Sequence, residues 1–64
     1  MNDINSEILN QLHDYLTNNP NIGFTTALYN LGILPIISNI MDLYYENPSD
    51  TLKRMNNTKE KNMF

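Results

Sequence analysis

The chain predicts an all-α fold of three to four short helices built on an N-terminal αα-hairpin, with a disordered polar tail at the C-terminus. Three observations carry this reading. Apolar residues recur at helical spacing over residues 4–18 and 24–31. Asn-Pro and Gly signals punctuate the chain at residues 19–23, 32 and 47–48. The run Asn56-Asn57-Thr58-Lys59-Glu60-Lys61-Asn62 contains no apolar member. The expected organisation is one small domain over residues 1–55 and a flexible basic tail over 56–64.

The first helix has the clearest period. At 100° per residue, Ile4, Ile8, Leu9, Leu12, Tyr15 and Leu16 fall within an arc of about 140°, the width of a core-facing stripe. Glu7, Asn10, Asp14 and Thr17 take the opposite face. Asp3 is the expected N-cap, and Asn18-Asn19-Pro20 the stop, because the residue before a proline is pushed out of the α region. A turn through Asn21 and Gly23 leads into the second helix, where Phe24, Ala27, Leu28 and Leu31 follow i, i+3, i+4, i+7. Gly32 stands where a left-handed residue ends a helix, and Ile33 supplies the hydrophobic contact of such a cap.

From Pro35, expected at the first helical position, Ile36, Ile37, Ile40, Met41 and Tyr44 share an arc, and this third helix should end by Glu46 before Asn47-Pro48. Ser49 then reads as the N-cap of a short fourth helix, with Asp50 in its first turn and Lys53 and Arg54 towards its C-terminal end.

Size and charge narrow the function classes. A chain of 64 residues without Cys has neither disulfides nor a Cys–His zinc set. Stability of about 3–5 kcal/mol is typical of such a core, and self-association into a homodimer is an expected source of further margin. Residues 1–52 carry six carboxylates and no Lys or Arg, whereas residues 53–64 carry four cations and one carboxylate; the net charge of −3 is an acidic body with a +3 end. Nucleic-acid binding by that body is disfavoured, since tracking a phosphate backbone needs clustered cations. No N-terminal leader pattern and no long apolar run is present, so the expectation is a soluble protein of the cytoplasm that spans no membrane.

No catalytic set stands out, and no enzyme activity or cofactor is expected. His13 is the only histidine and lies at the edge of the first stripe, a half-exposed boundary position; metal sites need several matched ligands. Ser6, Ser38 and Ser49 have no nucleophile context, and Gly23 and Gly32 each have a turn or cap explanation rather than a phosphate-loop one.

One segment breaks local rules. If Asp42-Leu43-Tyr44-Tyr45-Glu46 is helical, it sets two carboxylates at i, i+4 and places both near a C-terminal end, where the helix dipole opposes them. Such inconsistency tends to mark function. Asp42, Tyr44, Tyr45 and Glu46, with Glu7 and Asp14 on the first helix, are therefore the candidate protein-binding residues, and electrostatic steering favours a partner with a basic surface.

The pattern Asn19-Pro20-Asn21…Phe24, then Asn30-Leu31-Gly32, then Asp42-Leu43-Tyr44-Tyr45-Glu46 resembles that of small helical proteins of phages and prophages. Gly23 departs from a frequently basic position of that class, and the apolar stretch from Leu34 to Ile40 lengthens the link to the acidic-aromatic segment. The resemblance implies a mobile-element origin in a bacterial host cell. It makes the expected role that of an effector that inhibits or modulates a host protein such as a nuclease or defence complex. The alternative is a helix-turn-helix-like DNA regulator reading bases with Thr25, Thr26, Tyr29 and Asn30, although none of these supplies the charge that holds phosphates.

Overall fold

A computed structural model describes residues 3–36 and 39–61, with side chains through Lys59. Four helices follow in chain order: α1 (Ile4–Asn18), α2 (Phe24–Leu31), α3 (Ile40–Tyr44) and α4 (Pro48–Lys61). No strand occurs among the described residues. The helices α1, α2 and α4 pack pairwise into one three-helix body, whereas α3 packs against none of them.

The hairpin forms where its local signals place it. Asp3 Oδ1 accepts from the Ser6 backbone N–H at 2.7 Å, satisfying one of the orphan donors that open α1. At the other end the Asn19 side-chain amide donates to the Tyr15 carbonyl at 2.9 Å. A turn then closes with the Ile22 N–H donating to the Asn19 carbonyl at 3.1 Å around Pro20, whose fixed φ suits its second position. Gly32 adopts φ 82°, with its N–H on the Tyr29 carbonyl at 3.1 Å and the Ile33 N–H on the Leu28 carbonyl at 2.9 Å. This pair of bonds is the Schellman arrangement, and the left-handed residue at its centre has to do without a Cβ penalty.

Gly32 is also tightly enclosed. A Cβ built there would lie 2.9 Å from Thr58 Cβ and 3.1 Å from the Arg54 carbonyl oxygen, so α4 crosses the end of α2 where only a hydrogen fits. Ala27 and Met55 are the buried hydrophobic side chains of the body. Around them Ile8, Leu12, Tyr15, Leu16, Leu28, Leu31 and Leu52 are only half-buried.

Four expectations change at this point. Pro35 does not open a helix: residues 35 and 36 are irregular, and α3 begins at Ile40 with Asn39 Oδ1 accepting from the Met41 N–H at 2.8 Å. The expected Ile37 and Ser38 positions lie outside the described residues. Pro48, expected as a break, is the first residue of α4, the place where a missing N–H costs nothing. Asn47 rather than Ser49 caps that helix, its Oδ1 accepting from the N–H groups of Ser49 at 3.1 Å and Asp50 at 3.3 Å. Finally, α4 continues past Met55 to Lys61, beyond the apolar pattern; Met63 and Phe64 lie outside the described residues.

Candidate protein-binding surface

A five-residue helix that packs on no other helix should carry polar side chains. This one does not. Ile36, Ile40, Tyr44 and Tyr45 are each at least 74% exposed and Met41 is 57% exposed. All five lie within ten residues of chain, and within α3 only Leu43 is partly buried. The arc expected to face the core over Ile36, Ile40, Met41 and Tyr44 therefore faces solvent. Tyr44 and Tyr45 meet edge to face, with ring centroids 4.9 Å apart at 77°, so each ring limits the other's rotamers.

Asp42 lies on the same short helix and is exposed, in the first turn. Because α3 starts five residues later than expected, the dipole there favours its charge instead of opposing it. The like-charge repulsion with Glu46 also disappears, since Glu46 lies beyond the helix and is paired elsewhere.

That pairing anchors the segment. Arg54 on α4 donates from Nη1 to Glu46 Oε2 at 2.5 Å and from Nη2 to Glu46 Oε1 at 2.8 Å, a two-pronged carboxylate contact. The same guanidinium donates from Nε to the Gly32 carbonyl at 2.7 Å and from Nη2 to the Ile33 carbonyl at 2.6 Å. Thr51 Oγ1 adds a bond to Glu46 Oε1 at 2.7 Å. Hydrogen bonds from Arg54, then from Thr51, hold the Glu46 carboxyl below the usual glutamate range against the opposing effect of burial. One arginine thus caps the end of α2 and ties down the residue that leaves α3, so the apolar surface is held to the body at its C-terminal edge.

The other candidates lie apart. Glu7 and Asp14 are exposed on α1; Asp14 borders an open recess with Gln11, Tyr15, Asn18, Leu31 and Lys59. No packing between α1 and α3 gathers them with Asp42. Glu46 is occupied by Arg54 and is not presented as a recognition group. His13 is exposed rather than at a half-exposed boundary. On α2, Thr25, Thr26, Tyr29 and Asn30 are all exposed, and the Asn30 amide donates to the Tyr15 hydroxyl at 3.1 Å. Arg54 is the residue that pattern reading missed. Its only advance signal was a planar donor fork in a chain whose second helix ends in carbonyls that need donors.

No protein-family model, curated protein or solved structure matches the chain. No helix of the described residues is long and apolar enough to cross a membrane.

Proposed function

We propose that this chain is a small acidic protein-interaction module that binds another polypeptide through the exposed side chains of α3 and its flanks, Ile36, Ile40, Met41, Tyr44 and Tyr45. The observation that carries the reading is the helix α3, which packs on no other helix while Ile36, Ile40, Met41, Tyr44 and Tyr45 stand in solvent. Contiguous exposed apolar groups of this kind mark contact sites, and Tyr and Met are enriched where proteins meet. Asp42 on α3 and the carboxylates Glu7, Asp14 and Asp50 on the body, all exposed, favour polypeptides that bring cations. The same charges repel nucleic acid and anionic lipid. In the setting that the phage-like pattern implies, the target is a host protein with a basic surface, and binding inhibits or modulates it.

The test is site-specific photo-crosslinking. A benzophenone side chain replacing Tyr45 should give saturable adducts that weaken with salt and disappear in an Ile40→Asp background; the same probe replacing Asn10, on the outer face of α1, should give none. Equal adduct yield at the two positions, or adducts at position 45 that survive Ile40→Asp, would contradict the reading.

A further inference from the structure

We infer that Glu46 and Arg54 form a releasable clasp for α3: closed, it fixes that helix at one place beside the three-helix body, and open, it lets α3 move while α1, α2 and α4 stay packed. The inference rests on the reading of α3 as a docking surface and names what governs its presentation.

The tie between α3 and the body is polar and sits at one end. α3 packs on no other helix, and within it only Leu43 is partly buried. Its backbone bonds run within the segment, from the Leu43 N–H to the Asn39 carbonyl and from the Tyr45 N–H to the Met41 carbonyl, both at 3.2 Å. Just past its C-terminal end, Glu46 reaches two residues of α4: the Arg54 guanidinium at 2.5 and 2.8 Å and the Thr51 hydroxyl at 2.7 Å.

Opening that contact leaves the body its own supports. α1, α2 and α4 pack pairwise without α3. Arg54 keeps its bonds to the Gly32 and Ile33 carbonyls, at 2.7 and 2.6 Å, so the guanidinium stays at the end of α2 when the carboxylate leaves. The two side chains are 23% and 18% exposed, and water can take up the freed donors and acceptors. α4 keeps its cap as well, because Asn47 Oδ1 accepts from the Ser49 and Asp50 N–H groups independently of Glu46. The hinge is then the junction at Tyr45 and Glu46, where Tyr45 already departs from helical geometry at φ −95° and ψ 4°.

The clasp sets where α3 lies and covers none of its amides. A partner that meets α3 in a fixed place has less of the chain to order on binding, and its apparent dissociation constant rises as the clasped fraction falls. Glu46 and Arg54 are thus positioning residues that act on docking without touching the partner.

Distances between pairs of spin labels in the full chain test this. The chain has no cysteine, so labels can be placed at exposed positions: Asn10→Cys with Asp42→Cys reads α1 against α3, and Asn10→Cys with Lys53→Cys reads α1 against α4. With Glu46 present, each pair should give one narrow distance distribution. Glu46→Ala should broaden the α1-to-α3 distribution at least about twofold and leave the α1-to-α4 distribution unchanged. Glu46→Gln keeps an accepting oxygen, so it should broaden the first distribution less than Ala but beyond the wild type. It carries the test if far-UV circular dichroism shows Glu46→Ala unfolded.

An ion pair that merely stabilises the whole fold would broaden both pairs together. Equal broadening of both, an α1-to-α3 distribution unchanged by either substitution, or one already broad in the wild type would overturn the inference. Narrow wild-type distances without Ile40-dependent adducts at position 45 would remove the docking surface and leave the clasp standing.

Discussion

Replacing Arg54 by Ala should remove most of the stability of this fold. The guanidinium makes four hydrogen bonds, two to the Glu46 carboxylate and one each to the Gly32 and Ile33 carbonyls. Bonds to charged groups contribute about 1.5–3 kcal/mol each in isolation but are not additive within one side chain. Breaking a fully buried ion pair costs about 3–5 kcal/mol, chiefly through the charge left behind. Here the Arg54 and Glu46 side chains retain 23% and 18% of their exposure, so water reaches the orphaned groups and the expected loss falls to about 2–3 kcal/mol. Against a total of about 3–5 kcal/mol, that lowers the melting temperature by roughly 10–20 °C.

Thermal and urea unfolding followed by circular dichroism, at one fixed protein concentration, give the number. Glu46→Gln alone should cost about 1 kcal/mol, because the amide oxygen still accepts from Arg54 and Thr51. The double variant should lose clearly less than the sum of the two, since removing the carboxylate relieves the charge that Arg54→Ala strands. An Arg54→Ala loss below about 0.5 kcal/mol, or strictly additive losses, would refute the view that this residue holds three segments together.

Three further outcomes follow from the same contacts. Gly32→Ala should destabilise by at least about 1 kcal/mol through its positive φ and the crowding at Thr58, and Thr58→Ala in the same chain should recover part of that loss in urea titrations. Acidification should weaken the fold through Glu46: its folded pKa is depressed, so its contribution is present above the ordinary glutamate value of about 4.3 and is lost as pH falls through the lower folded value. Stability measured against pH should therefore decline more steeply in the wild type than in Glu46→Gln. Asn47→Ala should cost about 1 kcal/mol by uncapping α4, and Ser49→Ala clearly less, in the same unfolding assay.

The legible parts of this fold were those fixed by neighbours in sequence. The bounds of α1 and α2, the Asp3 cap and the left-handed Gly32 all follow from residues within one turn of each other. The two later prolines show where that logic stops. Pro35 and Pro48 carry the same local signal, a helix opener or a helix breaker, and the flanking residues allow either. What separates them is that Asn47 caps α4 while α4 docks across Gly32, a contact 26 residues away that no period displays.

The length of α4 was hidden for a related reason. Thr58 is a polar residue that packs by being small against a glycine, so the apolar pattern ends before the packing does. In the candidate site, Asp42, Tyr44 and Tyr45 stand out in the sequence through a local conflict, and they are exposed. The conflict itself was resolved by the late start of α3 and by Arg54, which takes Glu46 out of the surface. The apolar set of Ile36, Ile40 and Met41 is exposed although its spacing marks a core face, because periodicity identifies a face without saying what covers it.

Amide hydrogen exchange in α3 asks most directly what covers that face. A five-residue helix without tertiary support is too short to persist in water, so the Leu43 and Tyr45 amides, which donate to the Asn39 and Met41 carbonyls, should be protected only when the surface is docked. Their protection should rise when a binding partner is added and be lost in Ile40→Asp. Exchange at unprotected rates under every condition, with and without added binding partner and with α1 and α4 protected throughout, would contradict the claim that α3 is where this protein meets another chain.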